Sequence, residues 1–557
     1  MTPSARLQAV LDLLSAIAST PRPADALVSD YFRARRYIGS HDRAAVSFML
    51  YDALRHFARL NWWVENVHSH KGGRSPSPLG GKGWDGGSMQ EIDPPPAKTK
   101  GLAALESATT PRFSLPPPQG GRNITATSRR RFLAYLALVE KMPLRRIDAL
   151  CDGEKFAPAP LTDGERAFLR KLETHTLAHP HMPENVAVEC PDWAYASLKK
   201  RFGKNFAREM AALLRPAPLD LRVNALKTTK GHALNELAKA GFKAEPCRFS
   251  PLGIRLHERP SLAALALLKE GRAEIQDEGS QLVAALVDAK PGMRVMDFCA
   301  GAGGKTLAIA AQMQNKGRVT ACDVLEKRLK RSAERFRRAG VFNITIKPLK
   351  NEHDPWIKKH KGTFDRVLVD APCTGIGAWR RNPDARWRTS ANGESAGGEN
   401  ANASLPALGP GLEALTKLQT EILDSAARLV KKSGRLIYAT CSLLPEENEK
   451  QIEKFLEAHK DFRLIPLSEV WNSIFDMQGR PDSSPLVGEV RRGGHRQERN
   501  SKLRDVAKPH SPLPNPPHKG EGILSALAAP PCPGPYLSLT PAQHDTDGFF
   551  AAVMERI

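Results

Sequence analysis

Residues 294–306 read RVMDFCAGAGGKT, and this stretch decides the fold of the larger part of the chain. Its first five residues have the apolar character of a buried strand, residues 301–304 are Gly-Ala-Gly-Gly, and a helical pattern runs from about Lys305 to Gln314. A strand, a glycine turn and a helix N-terminus let a ligand approach free backbone N–H groups. The stretch therefore predicts a nucleotide-type binding turn in an α/β domain.

Strand and helix patterns continue to alternate after this turn. Such alternation is typical of a mostly parallel α/β sheet. Further strands are predicted at residues 319–323, 344–349, 364–370, 435–440 and 547–553. Before the turn, the region up to about 275 predicts a small mixed α+β unit, and apolar residues at three- and four-residue steps predict helices over residues 1–64.

These patterns predict three parts: a helical domain over 1–180, a small α+β region over 185–275 and an α/β domain over 276–557. Stretches rich in Gly, Pro and Ser at about 68–127, 389–411 and 478–533 offer little to bury, so we expect them to be disordered inserts. In the first and third, a glycine-rich arm precedes a proline-rich arm. They are either copies of one inserted element or ordinary linkers, and we assign them no chemistry.

The composition points to a polyanionic partner. The chain has 82 Lys+Arg against 60 Asp+Glu, a formal net charge of +22, and such a surplus supplies sequence-independent affinity for phosphates. Eight cysteines without a CxxC pair exclude a disulfide framework and disfavour a zinc site. Residues 1–20 predict an amphipathic helix rather than a signal peptide, and no apolar run is long enough to span a bilayer. We therefore expect a cytoplasmic protein.

Three kinds of ligand compete for the glycine turn. A phosphate-binding GxxxxGK[ST] loop would need glycine five residues before Gly304, where Cys299 stands, and a dinucleotide turn would need a third glycine at about position 306. A methyl-donor turn remains, because Asp297 and Asp323 end two neighbouring strands and carboxylates suit a cationic sulfonium nucleoside. A purely structural turn is the alternative.

Two cysteines follow the next two predicted strands. Cys373 lies in the loop that begins at Asp370, and Cys441 follows the strand at 435–440. The C-terminal ends of neighbouring parallel strands line one crevice, so both thiols and Asp370 should face one pocket. A thiolate that adds to C6 of cytosine activates C5 towards a methyl donor. The alternative is that each cysteine is a small buried hydrophobe.

These segments resemble the Sun/RsmB/Nop family of RNA cytosine-5 methyltransferases over about 215–557, apart from the inserts. The resemblance implies a Rossmann-like class I methyltransferase domain with a mostly parallel seven-stranded sheet, and the N-terminal helices resemble a NusB-like RNA-binding domain. The motifs that carry it are residues 276–281 (QDEGSQ), 297–306 (DFCAGAGGKT), 370–375 (DAPCTG), 381–387 (RNPDARW), 438–442 (YATCS), 445–449 (PEENE) and 547–550 (DGFF).

The resemblance also implies a role for each site residue. Cys441 is expected to attack the base and Cys373 to assist product release. DNA cytosine methyltransferases use the thiol of the Pro-Cys motif, here Cys373, as the nucleophile, so the reversed assignment remains open. Asp370 is expected to bind the ring edge. The expected cofactor is S-adenosylmethionine, without a metal, and its expected contacts are Cys299, Ala300, Gly301, Ala302, Gly303, Gly304, Lys305, Asp323, Asn351 and Asp370. Two positions depart from the family pattern: Gly301-Ala302 replaces Ala-Pro, and Asn351 replaces an acid.

The expected function is methylation of cytosine C5 in RNA, with ribosomal RNA favoured by the NusB-like helices. A transfer-RNA cytosine-5 methyltransferase, a methyltransferase of another substrate class and a non-catalytic RNA-binding assembly factor remain open. We expect a monomer without a membrane partner. Basic clusters suggest an RNA path: residues 199–201, 328–338, and Arg380, Arg381, Arg386 and Arg388 beside Trp379 and Trp387, whose planes would stack a splayed base.

Overall fold

The computed structural model describes residues 1–67, 122–258, 265–389, 405–407, 409–475 and 530–557. The elements that precede the glycine turn are α1 (Pro3–Ser19), α2 (Ala24–Ala34), α3 (Ser40–Arg55), α4 (Phe57–Asn66), α5 (Arg122–Leu138), α6 (Leu144–Leu150), α7 (Asp163–Leu172), α8 (Glu184–Ala187), α9 (Asp192–Phe202), α10 (Phe206–Ala212), β1 (Leu219–Val223), α11 (Lys230–Lys239), β2 (Ala244–Pro246), β3 (Gly253–Leu256), α12 (Ala266–Lys269), β4 (Ala273–Ile275), α13 (Glu278–Ala285) and β5 (Arg294–Asp297).

The elements that follow the turn are α14 (Gly304–Gln312), β6 (Arg318–Asp323), α15 (Glu326–Ala339), β7 (Ile344–Pro348), α16 (Pro355–Lys359), β8 (Phe364–Asp370), α17 (Leu412–Ala427), β9 (Val430–Thr440), α18 (Glu449–Ala458), β10 (Phe462–Ile465), α19 (Leu467–Phe475), β11 (Leu537–Leu539), α20 (Pro541–His544) and β12 (Phe549–Arg556). Short 3-10 turns lie at Gly203–Asn205, Ile376–Ala378 and Ala385–Trp387.

Helices α1–α7 share one apolar core that includes Trp63 and Tyr135. Helix α7 begins with a reciprocal capping box formed by Thr162 and Glu165. Trp387 and Leu405, from the α/β domain, are buried in the same core. The helical part is thus packed against a loop of the α/β domain.

The small region forms a four-stranded antiparallel sheet of order β2-β3-β1-β4. Its buried residues on α11 and the strands form a separate apolar cluster. Helices α9 and α10 do not belong to that cluster. Their residues Leu198, Phe206 and Met210 pack with Trp379 and Leu443 of the α/β domain.

The main sheet has the order β10-β12-β9-β8-β5-β6-β7, and β11 pairs separately with β12. Strands β5 to β9 are mutually parallel, whereas β12 runs antiparallel between β9 and β10. The predicted Rossmann-like, mostly parallel sheet is confirmed. Strands β10 and β11 are absent from the predicted set, because strands this short carry little periodic signal.

One predicted boundary of an insert differs from the structure at a described residue. Helix α5 begins at Arg122, earlier than the expected end of the first insert at about 127. Otherwise the inserts at about 68–127, 389–411 and 478–533 lie largely outside the described residues. The NusB-like character of the helices stays a prediction. No helix among the described residues combines the length and apolarity that a bilayer crossing needs.

Candidate active site

The sheet brings the two predicted cysteines together. Strands β8 and β9 are parallel neighbours with Asp370 opposite Ala439, so the loops that follow them leave the same edge of the sheet. Cys373 Sγ and Cys441 Sγ are 3.4 Å apart, and both residues are half-buried. Two thiols in contact at a partly open edge can act on the same ligand atom or on neighbouring atoms.

The environment of Cys373 favours its neutral form. Contact with the Cys441 sulfur raises the pKa of the Cys373 thiol well above its usual range, and burial raises it further. The nearby Glu447 carboxylate acts in the same direction. Cys373 is therefore a protonated thiol at neutral pH.

A half-buried ion pair lies next to the thiols. The Lys305 ammonium contacts Asp370 Oδ2 at 2.7 Å and lies 5.3 Å from the centre of the Phe549 ring. Burial lowers the pKa of Lys305, but Asp370 and the Cys441 sulfur outweigh this effect and the net pKa is raised. Lys305 therefore stays charged and places a positive charge close to Cys441.

The glycine turn is held by a carboxylate from the neighbouring strand. Asp323 Oδ2 accepts a hydrogen bond from Gly301 N at 2.7 Å, and its Oδ1 accepts one from Leu325 N at 2.7 Å. Gly301 and Gly303 have φ angles of 55° and 78°, in the left-handed region that favours glycine. A Cβ on Gly303 would also lie 2.6 Å from the Phe336 ring.

Asp297, at the end of β5, is almost fully buried beneath the turn. Its Oδ2 accepts a hydrogen bond from Thr306 Oγ1 at 2.7 Å, and no described residue bonds its Oδ1. Burial raises the pKa of Asp297 to about 7. An unpartnered carboxylate oxygen at this depth suits a cationic ligand above the turn.

Two further predicted cofactor residues lie at this edge. Burial raises the pKa of the Cys299 thiol well above its usual range, and the carboxylates of Asp297, Asp323 and Asp370 add to the effect. Cys299 is therefore a neutral thiol among three acids. Asn351 is exposed after β7, and its Oδ1 accepts a hydrogen bond from His353 N at 3.0 Å.

Two arginines that were not among the predicted site residues donate hydrogen bonds to carbonyls of the glycine turn. The Arg222 guanidinium, from β1 of the small sheet, donates to the Gly304 carbonyl at 2.8 Å and to Gln276. Arg335 of α15 donates to the Ala302 carbonyl at 2.6 Å and to Glu274 of β4 at 2.9 Å. The small sheet and the glycine turn are thus joined by hydrogen bonds that no local sequence pattern indicates.

The predicted stacking surface in the arginine-rich loop is wrong. Trp379 is 1% exposed, and Arg380, Arg386 and Arg388 are each 2% exposed. These arginines bond carboxylates and carbonyls of the protein. Arg386, for example, donates to the carbonyls of Glu189 and Leu213. Their planes do not face a ligand.

The loop that follows Cys373 is fixed by an unusually close backbone contact. Gly377 N donates to the Cys441 carbonyl at 2.9 Å, and Gly548 N donates to the Gly377 carbonyl at 2.9 Å. A Cβ on Gly377 would lie 2.1 Å from the Gly548 carbonyl oxygen, so only glycine fits there. The segment before β12 therefore holds both cysteine loops.

Two family models match parts of the chain. Residues 284–396 and 409–555 match the family model described as 16S rRNA methyltransferase RsmB/F. Residues 190–263 match the ferredoxin-like domain described for RsmF/B-like methyltransferases.

Curated relatives and one solved structure extend the comparison. A probable ribosomal RNA small subunit methyltransferase B from Synechocystis sp. is 35% identical over 288 residues, which cover 51% of this chain and 59% of that protein. Ribosomal RNA small subunit methyltransferase B from Photorhabdus laumondii is 33% identical over 275 residues, 49% of this chain and 59% of that protein. The chain thus spans less than two thirds of these relatives. The crystal structure of PH0851 matches this chain with a TM-score of 0.63 and 21% sequence identity, and the match covers 100% of this chain and 99% of that chain. The two proteins therefore have a similar fold.

Proposed function

The chain belongs to the RsmB/F family of methyltransferases, and from this membership we propose that it methylates C5 of a cytosine in ribosomal RNA. The proposed cofactor is S-adenosylmethionine, and the proposed nucleophile is Cys441. The observation that carries the proposal is the 3.4 Å contact between the Cys373 and Cys441 sulfurs beside the glycine turn.

The residues around the turn fit a sulfonium nucleoside. The Asp297 oxygen without a described partner and the Asp323 carboxylate provide acceptors and negative charge around the turn, and the Lys305 ammonium is paired with Asp370. Backbone N–H groups at the start of α14 and the Asp323 carboxylate would hold the nucleoside. When bound, S-adenosylmethionine supplies an electrophilic methyl group.

Cys441 would act first. Its thiolate adds to C6 of the cytosine, and the C5–C6 double bond delivers its electron pair to C5, which becomes nucleophilic. The Lys305 ammonium lies close enough to interact with the Cys441 sulfur. The same ammonium fixes one oxygen of Asp370, and the other oxygen, which no described residue bonds, can accept a hydrogen bond from the N4 amino group.

Cys373 would act last. Once C5 carries the methyl group, loss of the C5 proton restores the C5–C6 double bond and the Cys441–C6 bond breaks, with its electron pair returning to sulfur. A protonated Cys373 beside that sulfur can give it a proton.

The test is a trapping experiment with RNA that carries 5-fluorocytosine, whose C5 fluorine cannot leave as a proton. We expect the native protein and Cys151→Ala, a buried cysteine of the helical part, to form an adduct that survives denaturing electrophoresis. Cys441→Ala should form none, and Cys373→Ala should accumulate adduct on ordinary RNA. An adduct lost in Cys373→Ala but kept in Cys441→Ala would reverse the roles, and no adduct in the native protein would contradict the proposed reaction.

A further inference from the structure

Two adjacent polar residues lie beneath the cysteine pair without a role in the proposed chemistry. Glu447 and Asn448 precede α18 and are 0% and 1% exposed. Buried polar side chains are costly unless their hydrogen bonds are made, so the partners of these two residues indicate what they do. Those partners are the residues on either side of the two cysteines.

Glu447 fixes the loop that carries Cys373. Its Oε1 accepts a hydrogen bond from Thr374 N at 2.8 Å, and its Oε2 accepts one from Thr374 Oγ1 at 2.5 Å. The Gln419 amide donates to Glu447 Oε1 at 3.1 Å and to the Pro372 carbonyl at 2.9 Å. Both chain neighbours of Cys373 are therefore tied, directly or through Gln419, to one carboxylate, which also interacts with the Ser442 side chain of the other loop.

Asn448 fixes the loop that carries Cys441 in the same manner. Its Oδ1 accepts a hydrogen bond from Thr440 Oγ1 at 2.6 Å, and its Nδ2 donates to the Ser442 carbonyl at 3.0 Å. Thr440 and Ser442 are the two chain neighbours of Cys441. One amide thus holds this cysteine from both sides.

We propose that Glu447 and Asn448 are positioning residues that set the spacing of the two thiols, Glu447 through the Cys373 loop and Asn448 through the Cys441 loop. Because the two residues are adjacent in the chain, a displacement of one loop relative to the other strains a single peptide unit. A misplacement of about 1 Å at a reacting group costs up to about 100-fold in rate, so this spacing matters for both steps.

The spacing can be measured without any turnover. Phenylarsine oxide reacts with two neighbouring thiols: each thiol gives up its proton, two As–S bonds form and the arsenic-bound oxygen leaves as water. In the native protein we expect a cyclic adduct on Cys373 and Cys441 that resists a monothiol competitor. Glu447→Gln and Asn448→Ala should each weaken the resistance about 10-fold or more, since either variant moves one loop.

The matched control is Glu446→Gln. Glu446 precedes Glu447, but its carboxylate bonds Ser197 and Lys450 and does not contact the cysteine loops. This variant should retain the native resistance to the monothiol. Equal arsenical binding in Glu447→Gln, Asn448→Ala and the native protein would overturn the proposal.

The kinetic part of the proposal rests on the proposed function. With ordinary RNA, Glu447→Gln should accumulate covalent adduct as Cys373→Ala does, whereas Asn448→Ala should form adduct about 10- to 100-fold more slowly. If both variants slow adduct formation and adduct breakdown to the same extent, Glu447 and Asn448 have only a structural role. If the arsenical results hold while the native protein forms no adduct, the proposed function fails and the positioning role stands.

Milder variants keep the proposal testable if Glu447→Gln or Asn448→Ala does not fold. Thr374→Val removes one bond to Glu447, and Thr440→Val removes one bond to Asn448, at nearly constant side-chain volume. Thr374→Val should slow adduct breakdown, and Thr440→Val should slow adduct formation, each with a smaller loss of melting temperature than the variant of its partner, Glu447→Gln or Asn448→Ala. A reversed or identical pattern would contradict the division between the two residues.

Discussion

Two arginine-rich segments of the α/β domain look alike in sequence but differ in how many of their basic side chains are exposed. In the loop of residues 380–388, Arg380, Arg386 and Arg388 are each 2% exposed. On α15, by contrast, Lys327, Arg331 and Arg337 are exposed, and no ion pair involves them among the described residues. The sequence alone predicts an RNA path along both segments.

The two segments differ in the hydrogen-bond acceptors that surround their basic side chains. Each buried guanidinium meets carboxylates or carbonyls, and the acceptors of Arg388 include Ile17 and Thr20 of the helical part. A buried charge is tolerated only with such partners. Lys327, Arg331 and Arg337 of α15 are exposed and form no ion pair among the described residues, so their charge is available to a phosphate. Burial therefore separates arginines that hold the fold from arginines that can hold RNA.

The largest expected effect comes from Arg388→Ala. The Arg388 guanidinium donates to Asp384 at 2.9 Å, to Thr20 O at 2.9 Å and to Ile17 O at 3.0 Å. Its removal leaves the buried Asp384 charge without its arginine, and we expect a loss of about 3–5 kcal/mol in the free energy of unfolding, measured with urea. Arg337→Ala on α15 is the control and should change this free energy by less than about 0.5 kcal/mol. Equal losses would remove the distinction between the segments.

The next effect is a pH dependence in Arg380→Met. The Arg380 guanidinium donates to Asp547 Oδ1 at 2.8 Å, and burial raises the pKa of Asp547 to about 6. Since the folded protein favours protonated Asp547, the penalty for burying its charge is present above a pH of about 6 and fades as the pH falls through that value. The variant should therefore lose less stability at a pH of about 5 than at a pH of about 8.

A double-mutant cycle checks this assignment. Asp547→Asn combined with Arg380→Met should remove most of the difference between the two pH values, because no buried carboxylate is left at position 547. A pH difference that persists in the double variant would point to another group.

The smallest effect on stability, but a clear effect on RNA, is expected for the double variant Lys327→Glu/Arg331→Glu. The free energy of unfolding should stay within about 0.5 kcal/mol of the native value, since both side chains are exposed. Affinity for RNA should fall, and the dependence of log K on log salt should become shallower by about one for each phosphate that the variant no longer neutralises. Filter binding across a salt series measures both, and an unchanged slope would exclude α15 from the RNA path.

The parts predicted from sequence are those set by local pattern or by neighbouring strands. Residues 294–306 carry the strand, the turn and the helix in one continuous stretch, and the contact of Cys373 with Cys441 follows from strand ends that share an edge. Arg222, Glu447 and the arginine loop were missed or misread, because their roles depend on distant partners. The Arg388 bond to Thr20, for instance, spans 368 positions, and no local periodicity indicates it.

The position of β12 has a consequence for protein synthesis. This strand follows all the other described strands in the chain, yet it lies between β9 and β10, and Gly548 just before it holds the loop after Cys373. A nascent chain that has not reached residue 549 lacks the strand that joins β9 to β10 and leaves the side of β9 unpaired, an edge prone to aggregation. Chains that terminate before residue 549 should therefore be insoluble.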